Sequence, residues 1–237
     1  MRIIRQDTTF VITGFKYLPD TFRYNVLERN DGHGPRTYNV KDKKVPSVTT
    51  ILSATQSPEK KKSLDAWRAR VGYQEAARIT QQAATRGTEM HYVLENYIKG
   101  VGYLNLSEKG RVARLMAHQI VQGLKELTEI YGTEVTLNYK DVYAGTTDCV
   151  GLYKDKICIV DFKQSNKPKR EEWIEDYYLQ LGAYSLAHNE HYGETKGGII
   201  SMCTPKLEYQ QFELNEAQLY EYQQKWLERV EKFKAQP

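Results

Sequence analysis

Apolar positions recur at two different spacings along this chain, and the change from one to the other divides it. In roughly the first 45 residues they come in short runs suited to strands. Residues 10–14 and 22–27 read as β, and Asp31-Gly32-His33-Gly34-Pro35 reads as a loop. Ser47 to Leu52 is a short segment of apolar and hydroxyl residues. From about 64 to 131 the spacing becomes three and four. Ala84, Gly87, His91, Leu94 and Ile98 fall on one helix face, although Gly87 can instead mark a helix start with Thr88 near its cap. A second helix is predicted from Ser107, with Val112, Leu115, Leu124, Leu127 and Tyr131 as its stripe. Three segments rich in β-branched and aromatic residues follow, at 134–139, 143–153 and 156–163. Then come a helix over 172–191, with Ile174, Tyr177, Leu181 and Tyr184 on one face, and a strand over 197–203. A weaker strand, 210–214, precedes a final helix over 215–233 with Leu219, Tyr222, Trp226, Val230 and Phe233 at helical spacing. Helix, three strands, helix, strand predicts a compact α/β core with β and helical additions in front.

Composition narrows the function classes. The chain has 237 residues, 40% hydrophobic and 27% charged, which is ordinary for a globular protein and favours one elaborated domain. Its parts would be an N-terminal β region to residue 63, a helical region over 64–131 and a core over 132–237. No apolar run approaches the roughly 18–20 residues of a membrane helix. The N-terminal residues lack signal- or transit-peptide character, so a cytoplasmic protein is expected. Cys149, Cys158 and Cys203 form no close pair, which argues against a disulfide framework, a zinc site or an iron–sulfur cluster. Cys149 and Cys158 are expected to be buried. The five histidines show no zinc-hydrolase spacing, and no phosphate-loop motif is present. A net charge of +4 permits a nucleic-acid partner, and 18 tyrosines offer material for base stacking, although most tyrosines only pack.

The informative stretch is 144–165. An apolar run ends in Asp161-Phe162-Lys163, and strand alternation puts Asp161 and Lys163 on one face. A solvated strand end is the bland alternative. If Lys154-Asp155 is a two-residue turn, Asp148 lies directly opposite Asp161, with Cβ atoms about 5 Å apart. Two carboxylates so placed call for a cation between them: a divalent metal, with Lys163 adding fixed positive charge. A turn at Asp155-Lys156 would shift this register.

The pattern resembles the PD-(D/E)xK nuclease superfamily, with an acid on one strand and acid-x-lysine on the next within an α-β-β-β-α-β core. RGTEMHYVLE, carrying His91, is similar to the RGxxxHxxLE element of RecB-type members, and YYLQLGAY, residues 177–184, to their YxxQLxxY element. Within that branch the chain is most similar to the mitochondrial genome maintenance exonuclease family, from about Val45 to the C-terminus. PSVTTIL matches a hydroxyl-rich segment there, while Phe162 and Gln164 replace the family's usual Trp and Thr.

The resemblance implies phosphodiester hydrolysis with magnesium or manganese and no iron–sulfur cluster. Asp148 and Asp161 would hold the metal with the Phe162 carbonyl and His91. Lys163 would orient water or stabilise developing charge. Asp148, Asp161, Lys163 and Gln180 form the expected catalytic set. For His91 the alternative is a core histidine, and for Gln180 a polar edge of the helix stripe. Ser47, Thr49, Arg86 and Ser165 are candidate phosphate contacts, with Tyr177 and Tyr184 on the tyrosine-rich face. Lys60, Lys61 and Arg68, around Trp67, suit a strand-guiding wall; a solvated helix with Trp67 in the core weighs equally. The expectation is a metal-dependent, monomeric DNA exonuclease acting on single strands or frayed ends, with replication or recombination proteins as possible partners. A structure-selective endonuclease and a non-catalytic single-strand binder are the rivals.

Overall fold

A computed structural model describes residues 14–32, 34–102, 105 and 107–236; the predicted strand at 10–14 lies almost wholly outside them. The centre is a six-stranded mixed sheet in the order β1-β5-β6-β7-β8-β9. Its strands are β1 (Lys16–Tyr17), β5 (Leu127–Tyr139), β6 (Tyr143–Tyr153), β7 (Lys156–Gln164), β8 (Gly197–Cys203) and β9 (Tyr209–Leu214). β5, β6 and β7 form an antiparallel meander, and β7 pairs parallel with β8. That parallel pairing needs a crossover, which α5 (Glu175–His191) supplies. A second, antiparallel sheet joins β2 (Arg29–Asn30), β3 (Thr37–Val40) and β4 (Lys43–Pro46).

Helices cover both faces of the large sheet. On one face α5, α6 (Glu216–Lys234) and the short α1 (Val48–Ala54) pack over Val150, Ile159 and Ile200. On the other, α3 (Tyr73–Ile98) and α4 (Glu108–Gly123) bury Met90, Leu94, Met116 and Ile120 against Cys149, Val160 and Phe162. Cys149 and Cys158 are buried, as expected for small hydrophobes. α2 (Pro58–Val71) has no buried residue. Sequence signals start these helices. Ser47, Ser57 and Ser107 cap α1, α2 and α4, and Asn215 with Gln218 forms a capping box on α6. The close approach of α5 to α6 depends on Gly182, where a Cβ would lie 2.6 Å from the Tyr222 carbonyl oxygen.

The helix–three strands–helix–strand order is observed, from α4 to β8. Three local expectations fail, and the alternative at Gly87 closes. The segment 22–27 forms no strand; it is an irregular strap, with Arg23 at a φ of 49°, fastened by Leu27 N–H donating to Thr136 Oγ1 and the Thr136 hydroxyl donating to Asn25 O. Residues 48–54 are helical, so helices begin well before 64. Gly87 sits inside α3 and starts nothing; it lets Gln164 pack closely, its absent Cβ being 3.2 Å from Gln164 Cγ. The helix from Ser107 ends at Gly123, so Leu127 and Tyr131 belong to β5, and Leu115 is exposed. The cause of the last error is physical. Register shifts between Leu127 and Glu129 and between Ile130 and Gly132 break the two-residue alternation of β5. A bulged strand then shows apolar residues three and four apart, as a helix does.

Candidate active site

The β6–β7 hairpin turns through Lys154 and Asp155, both left-handed at φ 48° and 60°. This two-residue turn matches the strand twist and sets the register. Tyr153 pairs with Lys156 and the ladder runs to Cys149 opposite Val160. The next residues out are Asp148 and Asp161. There the strands part enough for Asp148 Oδ2 to accept the Phe162 N–H at 2.6 Å. The side chain of one strand has taken over a ladder hydrogen bond of the other, which orients the carboxylate.

Three further side chains stand near this end of the hairpin. His91, on α3, places Nδ1 3.2 Å from Asp148 Oδ1. Lys163, two residues past Asp161, forms an ion pair with the Asp161 carboxylate. Its Nζ also lies 5.3 Å from the centre of the Tyr177 ring on α5. Gln180, one turn further along α5, is buried, and its Oε1 has no hydrogen-bond partner among the described residues.

Glu134 was not anticipated. Its neighbours Thr133 and Val135 pair with Cys149 and Thr147, so Glu134 stands across from Asp148. It has a φ of 52°, a left-handed conformation that re-aims a strand side chain. His91, Glu134 and Asp148 each offer a ligand atom, and these atoms lie within 4.8 Å of one another. The signal was available: the register arithmetic that paired Asp148 with Asp161 also pairs Glu134 with Asp148 when applied to the β5–β6 hairpin. Asp161 stands beside this group, engaged with Lys163.

The electrostatics separate the acids. Burial, reinforced by the charge of Asp148, pushes Glu134 up to about 7. Burial likewise raises Asp161 to about 6, against the pull of Lys163 and with the push of Asp148. Burial also works against ionised Asp148, but His91, Lys163 and the Phe162 N–H outweigh it and lower its pKa. The His91 ring, opposed by burial and favoured by Asp148, rises to about 9. Lys163 is likewise opposed by burial, and Asp161 and Asp148 hold it charged. Two carboxylates of raised pKa thus stand beside a third that stays ionised, with the cations of His91 and Lys163 among them. One imidazole with carboxylate oxygens is a donor set that a divalent cation fits.

The remaining candidates fall into two groups. Lys60, Lys61 and Arg68 lie on α2, where Trp67 is half-buried and outside the core. Lys60 is paired with Asp176 at the start of α5, and Arg68 with Asp65 on its own helix. Arg86, one turn before His91 on the same helix, is held by neutral groups. Its Nε and Nη2 donate to Gln164 Oε1 at 3.0 and 2.9 Å, and Nη2 also donates to Asn166 Oδ1. Ser165 is buried, and its hydroxyl closes a local turn by donating to Lys167 O at 2.7 Å. Tyr184 is also buried, so its ring offers no face to a base. Ser47 caps α1 from a buried position and shares a 2.9 Å hydrogen bond with the Thr49 hydroxyl. Among the described residues no helix is long and apolar enough to cross a membrane.

No family model matches the chain. Among curated proteins it is similar to mitochondrial genome maintenance exonuclease 1. With the Xenopus tropicalis protein it is 28% identical over 203 residues, covering 80% of this chain and 57% of that one. With the Mus musculus protein it is 29% identical over 204 residues, covering 80% and 59%. The Homo sapiens protein is 25% identical over 204 residues, with 80% and 58% covered. The chain thus spans less than three-fifths of the length of these relatives. Among solved structures, an alkaline exonuclease from Laribacter hongkongensis aligns over 80% of this chain and 91% of its own, at 10% identity and a TM-score of 0.36. A protein of Eubacterium rectale aligns over 65% and 67%, at 14% identity and a TM-score of 0.46.

Proposed function

We propose that this chain is a metal-dependent DNA exonuclease hydrolysing phosphodiester bonds in single strands or frayed ends. The observation that carries the reading is the convergence of His91, Glu134, Asp148, Asp161 and Lys163 at the open end of one hairpin. The similarity to proteins named exonucleases points the same way.

In this reading His91, Glu134 and Asp148 hold magnesium or manganese, with Asp161 and the Phe162 carbonyl completing the set. The metal supplies Lewis-acid polarisation of the phosphate and a more acidic water. The chain does the rest. The Phe162 N–H fixes the orientation of Asp148, so a ligand oxygen is placed before substrate arrives. Lys163, restrained by Asp161 and Tyr177, presents a fixed positive charge where negative charge grows at the phosphate. Gln180 offers an amide whose oxygen, without a partner among the described residues, can accept a hydrogen bond from the water and orient it. Lys60, Lys61 and Arg68 on α2 follow the strand's phosphates, Trp67 stacks on a base, and Arg86 contacts a phosphate near the metal.

The test compares linear single-stranded, blunt duplex and covalently closed circular single-stranded DNA, with magnesium and with EDTA. Hydrolysis of the linear strand in magnesium only is expected, with the circle spared. Rapid digestion of the circle would replace this reading with an endonuclease on the same core, and full activity in EDTA would remove the metal from it.

A further inference from the structure

The connection from β7 to α5 begins directly behind Lys163, and its residues 165–170 are bound at four places. Ser165 N–H donates to Cys203 O on β8 at 3.2 Å, and the Ser165 hydroxyl donates to Lys167 O at 2.7 Å. Asn166 Oδ1 accepts from Arg86 on α3. Gln210 on β9 holds both backbone groups of Lys169: its Oε1 accepts the Lys169 N–H at 2.7 Å, and its Nε2 donates to Lys169 O at 2.9 Å. We propose that this segment clamps backbone phosphates of single-stranded DNA beside the reacting bond. Lys167 and Lys169 are the phosphate contacts, and Gln210 is the residue that positions them; the proposal rests on the nuclease reading and deepens it.

Three observations support it. The first is what the bracing leaves out. A surface connection ordinarily keeps its freedom, yet here the main chain at Ser165, Lys167 and Lys169 is fastened while the two lysine side chains are not. Lys167 is exposed and Lys169 half-buried, and among the described residues neither ammonium has an ion pair or a hydrogen bond. The second is charge. The acids of this connection, Glu171 and Glu172, lie past the braced part and are engaged. Glu172 pairs with Arg170 at 3.7 Å, and Glu171 Oε1 accepts the Tyr178 hydroxyl at 3.0 Å. Lys167 and Lys169 thus stay uncompensated on a segment that holds no carboxylate. Held cations of this kind suit a polyanion, which sheds its counterions on meeting them.

The third is position. Lys167 lies four residues after Lys163 and Lys169 six, so they stand within about 14 and 21 Å of it along the chain. Phosphates within their reach belong to nucleotides close to a bond held at Lys163. Gln210 suits its part because it is an amide. It accepts from one backbone group and donates to the other, as a neighbouring strand would. A carboxylate there would repel the Lys169 carbonyl and set a negative charge beside the two ammonium groups. Holding the segment in place beforehand removes the cost of ordering it when the strand binds.

The test measures binding of a labelled single-stranded oligodeoxynucleotide by anisotropy in EDTA, where no turnover occurs, over a series of salt concentrations. The parent is compared with Lys167→Gln, Lys169→Gln and Gln210→Ala. Each phosphate neutralised on a single strand contributes about 0.7 to the slope of log affinity against log salt. Each lysine variant should therefore lower the slope by about 0.7. It should also weaken binding about fivefold at low salt, with the melting temperature unchanged because neither ammonium serves the fold. Gln210→Ala keeps both charges, so its slope should stay parental while its affinity falls about fivefold, the segment now having to be ordered on binding. A Gln210→Ala protein that melts lower but binds as the parent does would overturn the positioning role. The lysine variants, altered only at the surface, decide the clamp even if Gln210→Ala fails to fold. If both bind with the parent's slope and affinity, the clamp is refuted, while hydrolysis by the parent in magnesium keeps the nuclease reading. A parent that neither binds nor cleaves the strand overturns both.

Discussion

Replacing Glu134 by Gln should make the metal-free protein more stable and its response to metal smaller. The pKa of Glu134 is raised from 4.5 to about 7, by burial and by the charge of Asp148. A group whose pKa is raised on folding costs nothing below its unfolded value. Its penalty builds as pH rises from 4.5 and is complete once pH passes about 7. At face value the shift corresponds to about 3 kcal/mol. Screening by water at this partly exposed carboxylate reduces that to about 1–2 kcal/mol. For a chain of this length, thermal melts in EDTA at pH 8 should therefore rise by roughly 2–8 °C in Glu134→Gln. At pH 4.5 the two proteins should melt together. In saturating magnesium or manganese the order should change, because the parent gains more from the metal. Losing one of three converging ligands should weaken metal affinity at least tenfold, which is about 1.4 kcal/mol of stabilisation at equal metal. A variant that melts below the parent in EDTA at pH 8 would refute the repulsion argument. One with an unchanged metal titration would remove Glu134 from the ligand set.

Lys163→Ala should abolish hydrolysis with the far-ultraviolet spectrum unchanged, since its side chain serves Asp161 and Tyr177 and no apolar core; near-parental rates would sink the assignment. Divalent affinity should rise with pH between about 6 and 9, because Asp161, Glu134 and His91 titrate near 6, 7 and 9 and ligands must shed their protons. Calorimetry in buffers of different ionisation heat would detect the proton release, and its absence would contradict the ligand set. Gly182→Ala should cost about 1–3 kcal/mol in chemical denaturation, because its methyl would meet the Tyr222 backbone at 2.6 Å with no soft atom to yield; a neutral result would mean that α5 and α6 can part freely.

The two aspartates were legible in the sequence because their positions follow from a local rule. Lys154-Asp155 fits a two-residue turn, and a turn of known length fixes every cross-strand pair behind it. Helix α6 was legible for a similar reason, with its cap and its apolar stripe both in sequence. Glu134 was missed because the register rule reached only the β6–β7 hairpin, and the left-handed backbone that aims its side chain leaves no periodic trace. The bulges before Gly132 made the start of β5 look helical. The strap over 22–27 has the composition of a strand but bonds through Thr136 side-chain atoms instead of a ladder, a tertiary choice invisible to local pattern. That Tyr184 would be enclosed could not be read from its helix face either, since α1 and Gly145, which close over it, come from distant parts of the chain.

Helix α2 has a consequence for exchange with solvent. It buries none of its side chains, begins at Pro58 and ends at Gly72, which has a φ of 88° that favours glycine. Its intrahelical hydrogen bonds are thus the main resistance its amides offer to deuterium, and an isolated helix of 14 residues is marginal in water. The segment should exchange as one cooperative unit, far faster than α3 directly after it, whose Met90 and Leu94 are locked in the core. Lys60, bonded to Asp176, joins that fast unit to the first turn of α5, whose next residue is Tyr177 beside Lys163. A strand lying along α2 would slow exchange over 58–71 and leave the rates of the sheet untouched, so deuterium uptake can locate bound DNA on this helix without cleavage having to occur.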